Sequence, residues 1–325
     1  LKSKLTSPIN QQTRIRKFLP GRQALDRLAA RALMALSVLP ILLLVLVIIA
    51  LFVRSLPILQ SKPLNELLLG TVWKPFQGEF GFLPFIVGTF WVTGMALALA
   101  VPPCLLCAIY LAEYSRPRTA NMVKPLLDLL AGIPSVVYGV WGMVAIVPWV
   151  QRLGPFVSAR LGFIPLFASE NPTGYSVLAG GIVLAVMIAP FIIAVTYEVL
   201  RTVPGGARQA SLALGATRWQ TILNVVIPQT LPGILAGVVL GASRALGETM
   251  AVLMVVGNVA MMPRSIFDPA YPLPALIANN YGEMMSIPMY DAALLGGALV
   301  LLLIVLFFNL LSTLVLRRMT RRINR

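Results

Sequence analysis

The chain has 325 residues, 58% of them hydrophobic, and a mean hydropathy of +0.86. These values exclude a soluble globular domain. The long apolar runs read as membrane helices, in which every backbone group finds a partner within its own segment. The net charge of +15 does not point to nucleic acid, because Lys and Arg collect between the apolar runs, as the positive-inside rule expects.

Residues 1–31 read as a basic, polar cytoplasmic tail with some disorder, carrying eight Lys and Arg against the single Asp26. The chain begins with Leu1 rather than Met, so a preceding residue or segment is expected. A membrane domain follows over 32–325. Its first span is expected at 32–53, too long for a signal-peptide core. An outside loop with short amphipathic pieces such as 64–69 comes next. The second span, 84–110, contains Pro102-Pro103, where a kink is expected. It also contains Cys104 and Cys107, the only cysteines. With no His in the chain they make a poor metal set and read as small packing residues, so no metal site is expected.

The third span, 126–149, includes AGIPSVVYGVWG at 131–142. Gly132, Pro134, Gly139 and Gly142 there imply a break or a close helix contact, and Gly132, Pro134 and Ser135 are the candidates for which pathway lining and plain packing are both open. A second outside loop covers 150–175, and the fourth span is 176–199. The stretch 205–228 is too polar to cross a bilayer. It reads as two short amphipathic helices turning at Gly215 and closed by Pro228, lying along the inner face. Such an element offers a surface to a partner's groove, although an ordinary interfacial loop has the same pattern.

The fifth span, 233–256, carries Arg244 and Glu248 four residues apart on one helix face. Charges at that depth face a pathway or a partner. Arg can fork onto oxyanion oxygens, and Glu can accept a hydrogen bond from a protonated one. A structural ion pair is the competing reading. Gly237 and Gly241 read as packing residues. A Pro-rich third outside loop with a short helix near 275–284 leads to the last span, 293–316, and an Arg-rich end. Inside segments hold nineteen Lys and Arg against six outside, which places both termini in the cytoplasm. No G-x-x-x-x-G-K-[ST] loop occurs, so any ATP that drives transport is bound by another polypeptide.

At 205–228 the chain resembles permease subunits of ABC importers. Their inner-loop signature is Glu-Ala-Ala, three residues, Gly, nine residues, then Ile-x-Leu-Pro. Here it runs Gln209-Ala210-Ser211, then Gly215, then Val225-Val226-Ile227-Pro228, with Gln209 in place of the Glu. The stretches 131–142 and 242–252 (ASRALGETMAV) are similar to the phosphate-specific, PstC-type permeases.

The resemblance implies an all-α integral membrane fold of the type I ABC importer permease kind, with six helices and no covalent chemistry. It implies that Gln209, Ala210, Ser211, Gly215, Trp219 and Pro228 couple to an ATPase. It also implies a homologous PstA-like permease, two PstB-like ATPase subunits that bind ATP and Mg²⁺, and a PstS-like phosphate-binding protein. No cofactor is expected on this chain. A molybdate or sulfate permease and an ion-coupled secondary transporter remain the alternatives. An intramembrane enzyme lacks support, for want of His, a metal set or a nucleophile–base arrangement.

Overall fold

The computed structural model describes residues 20–168, 171–283, 287 and 289–323. Two compact units divide the chain, Leu1–Val53 and Arg54–Arg325. Among the described residues six helical segments are long and apolar enough to cross a membrane: Leu25–Ser61, Leu83–Tyr114, Ser135–Leu161, Val177–Arg201, Arg218–Leu246 and Tyr290–Thr320.

Helix α1 (Pro20–Ser61) starts well before the expected 32, because Gln23, Ala24, Leu25, Ala29 and Ala30 are good helix formers. The expected tail boundary at 31 therefore lies inside a helix, and residues 1–19 lie outside the described residues. The short helix expected at 64–69 is present as α2 (Leu64–Leu69). A two-residue hairpin, β1 (Trp73–Lys74) against β2 (Glu79–Phe80), turns at Gly78 with φ +72°. Helix α3 (Leu83–Ile109) passes through Pro102 and Pro103 and ends in a π turn, Tyr110–Tyr114.

The third span is displaced from its expected place. Helix α4 (Pro117–Gly132) stops because Pro134 has no N–H and holds Ile133 in an extended conformation, φ −65° and ψ 129°. A new helix then runs as α5 (Ser135–Trp141), a π turn (Gly142–Ile146) and α6 (Val147–Leu161). Residues 150–161, expected in an outside loop, thus belong to the membrane-capable segment, and Pro155 costs it only one backbone bond.

Helix α7 (Val177–Arg201) is the most buried of the six segments. Its first turn is satisfied from a distant loop. Val177 N–H donates to Asp268 O at 3.0 Å and Leu178 N–H to Ile266 O at 2.8 Å. Ser176 Oγ accepts from Ala179 N–H at 3.2 Å. These are the donors that a helix start leaves without intrahelical partners.

The fifth span also shifts. After α8 (Gly205–Ala213) comes α9 (Arg218–Thr221), then a π turn (Ile222–Val226) and α10 (Ile227–Leu246) without interruption. Pro228 was expected to close the inner element. Instead the π turn absorbs its missing N–H, as local π geometry does in membrane helices. Gly233, Gly237 and Gly241 then face α7. A Cβ at Gly237 would sit 3.1 Å from Val195 Cγ1, and one at Gly241 2.9 Å from Ile192 Cγ1. This is the packing role expected of Gly237 and Gly241.

Beyond α10 lie α11 (Met250–Leu253), α12 (Leu273–Asn280) and α13 (Tyr290–Ile323). A second core at this end gathers Phe82, Phe85, Tyr271 and Tyr290 around Trp73, whose ring meets Phe85 edge-on at 5.0 Å.

Candidate functional site

Two regions carry the residues singled out from the sequence. The first is a helix break. Gly247, at φ −96° and ψ 0°, ends α10, and α11 begins three residues later. Arg244 therefore lies in the last turn of α10, whereas Glu248 lies beyond the break. The expectation of one continuous helix face is corrected on this point. Among the described residues no ion pair joins Arg244 to Glu248.

Each has its own partner. The Arg244 guanidinium is exposed and stacks 4.2 Å from the centre of the Phe191 ring on α7. Glu248 Oε1 accepts from Ala251 N–H at 3.2 Å, which caps the short α11. Beside Glu248 opens a narrow pocket of about 10 Å³, room for little more than one water molecule. Its polar lining comes from Thr89 and Thr93 of α3, and Pro272 and Pro274 close one side.

The segment 131–142 divides in function. Gly132 and Pro134 make the α4–α5 break and Ser135 opens α5; none of the three lines the Glu248 pocket. Tyr138 Oη donates to Leu130 O at 2.7 Å across that break. Gly139 and Gly142 are close-packing positions. A Cβ at Gly139 would lie 2.7 Å from Met254 Sδ and 3.1 Å from Ala251 Cα. The two broken helices therefore meet, α5 against α11, through Gly139.

The second region is the polar element. Gly215 has φ +87°, the left-handed turn expected of it, and joins α8 to α9. Thr217 and Gln220 form a reciprocal capping box that starts α9. Ser211 Oγ and Thr221 Oγ1 are 3.0 Å apart, tying the two short helices together. Gln209 and Ala210 are exposed on α8, while Pro228 is set in the membrane-capable helix. Leu214 at the turn is 89% exposed and Trp219 46%, an apolar face that this chain leaves open.

Sequence reasoning missed three contributors. Phe191 offers no signal beyond its apolar surroundings, and Thr89 and Thr93 look like any hydroxyls in a span. The third is an ion pair. Arg208 Nη2 donates to Glu113 Oε1 at 2.8 Å and Nε to Oε2 at 3.2 Å. Its signal was available, since Glu113 is a lone carboxylate at the end of an apolar run.

A family model described as binding-protein-dependent transport system inner membrane component matches residues 104–325. The phosphate transport system permease protein PstC of Xylella fastidiosa (strain 9a5c) is 36% identical over 256 residues, 78% of each chain. That of Haemophilus influenzae is 35% identical over 285 residues, 85% of this chain and 90% of its own. The probable ABC transporter permease protein YqgH of Bacillus subtilis is 39% identical over 248 residues, 76% of this chain and 75% of its own. Among solved structures, a bacterial ABC transporter involved in the import of the acidic polysaccharide alginate superposes with a TM-score of 0.60. It is 15% identical and covers 92% of this chain and 99% of that one, which is a likeness of fold. The chain therefore belongs to the family of binding-protein-dependent transport system inner membrane components, as a permease subunit rather than an enzyme.

Proposed function

We propose that this chain is the permease through which an ATP-driven importer admits inorganic phosphate, delivered by an extracytoplasmic binding protein. The observation that carries the reading is the open apolar face of α8 and α9. Leu212, Leu214 and Trp219 are exposed on an element whose second helix is firmly capped, the form in which a helical knob enters a partner's groove. The partner is a pair of ATPase subunits holding ATP and Mg²⁺. Gln209 makes that contact through hydrogen bonds, in place of the carboxylate usual in the signature. A second, homologous permease completes the pathway. Phosphate is favoured over molybdate or sulfate by relatives whose names specify it. Glu248 suits it chemically, as an acceptor for the proton that phosphate keeps at neutral pH, while Arg244 supplies the fork for its other oxygens. The excess of Lys and Arg between the spans supports a cytoplasmic position for α8, α9 and both termini, with the Trp73 cluster outside.

The test is an assembled complex in liposomes. Phosphate with its binding protein should stimulate ATP hydrolysis and phosphate uptake together, and sulfate or molybdate with theirs should not. Uptake driven by a proton gradient in the absence of ATP would sink the reading.

A further inference from the structure

Helix α8 has no fully buried residue, and at Gly205 and Gly206 an added Cβ would meet nothing. Ala207 brushes the core, and the Ser211 hydroxyl bonds to Thr221 of α9 within the same element. The strong attachment of α8 to the membrane body is Arg208. Its guanidinium forks onto Glu113, and further N–H groups donate to the last turn of α7 and to the second residue beyond it: Nη2 to Leu200 O at 2.9 Å and Nη1 to Val203 O at 2.5 Å. One side chain thus fastens α8 to both α3 and α7. The pair is mostly buried, with side-chain exposures of 23% for Arg208 and 12% for Glu113, so salt screens it little. The planar fork fixes direction as well as distance. By contrast, Lys124 of α4 and Glu198 of α7 pair with exposures of 57% and 54%, and surface pairs of that kind contribute little.

The two helices gripped by Arg208 are those that lead to the pocket. α3 brings Thr89 and Thr93, and α7 brings Leu184, to the wall beside Glu248. Glu113 itself lies in the π turn that ends α3, where the widened turn changes the face that following residues present. We infer that Arg208 and Glu113 form the joint that hands movement of the α8–α9 element to α3 and α7, so that Arg208 is a positioning residue for coupling. This inference rests on the proposed docking of an ATPase at α8 and α9.

The experiment compares Arg208→Lys, Glu113→Gln and, as a control pair at the same end, Glu198→Gln in reconstituted complexes. Arg208→Lys keeps the charge without the fork, and Glu113→Gln keeps an acceptor without the charge. The readouts are ATPase retained on purification, ATP hydrolysis stimulated by the loaded binding protein, and phosphate accumulated. A coupling joint predicts retained ATPase and stimulated hydrolysis, with the ATP spent per phosphate imported rising about fivefold or more. Glu198→Gln should keep the parent ratio. An unchanged ratio in both joint variants would overturn the inference. So would failure of both to assemble, since the pair would then be only a brace. A parent complex that binds no ATPase would instead defeat the functional reading beneath it.

Discussion

Gly142 and Gly215 are both required, for opposite reasons. At Gly142 a Cβ would overlap Val183 Cγ2 and lie 2.9 Å from Val255 Cγ1, so the demand is for space. At Gly215 nothing lies near a would-be Cβ, and the demand is for φ +87°. Gly142→Ala should therefore cost about 1–3 kcal/mol through overpacking, read as a lower melting temperature in detergent with transport per folded molecule preserved. Gly215→Pro should do the reverse, because proline fixes φ near −65° and re-aims α8 against α9, which runs on into α10. Melting should stay near the parent value while ATPase is lost on purification and uptake falls at least about tenfold, a loss of some 1.4 kcal/mol in docking. Normal uptake by Gly215→Pro at normal insertion would contradict the docking role. The turn at Gly215 was legible in the sequence, as was a close contact among the glycines of 131–142, but the partners of Gly142 were not. Gly215 stands alone between two amphipathic runs, whereas the need for Gly142 depends on Val183 and Val255, which the chain brings there from far along its length.

At the scale of elements, the helices break and widen at positions that polarity alone does not mark. Two π turns, Gly142–Ile146 and Ile222–Val226, are each followed at the second residue by a proline, Pro148 and Pro228. In both cases the turn absorbs the missing N–H, so the proline that looks like a terminator sits inside a continuous segment. Hydropathy placed the fifth span about ten residues too far along for this reason. The true end, at Gly247, has no proline to announce it. That end matters for Arg244 and Glu248, which the break separates and gives different partners. Arg244→Gln then leaves no orphaned carboxylate; it removes a stacking contact worth about 0.5–1 kcal/mol at an exposed site. Stability effects of Arg244→Gln and Glu248→Gln should add in the double variant within about 0.5 kcal/mol, as melting in detergent would show. Phosphate uptake should fall in each single variant and stay low in the double. Recovery of uptake in the double variant would indicate a structural pair after all.

For the whole molecule, the number of spans was readable from apolar length. The fold itself came from packing that a single sequence does not display, above all the small residues of α7 and α10 and the loops that seal helix ends. Sidedness is open to direct measurement in a chain freed of Cys104 and Cys107. A cysteine at Ser61 should react with an impermeant thiol reagent added outside, and one at Thr320 only after the inner face is exposed. Labelling of the Thr320 variant from outside would reverse the assignment of both termini.

The sealing of α7 also has a consequence for biosynthesis. Its N–H donors at Val177 and Leu178 bond to carbonyls of Asp268 and Ile266, which leave the ribosome much later. At about 5–20 residues per second the fourth span must wait roughly 5–20 s for them. During that interval the start of the molecule's most buried helix has only water, lipid headgroups or an insertion chaperone to satisfy it. A nascent chain arrested after α10 should therefore be a ready substrate for membrane quality control, and release of the 265–268 loop should be the moment at which the subunit becomes resistant to proteolysis.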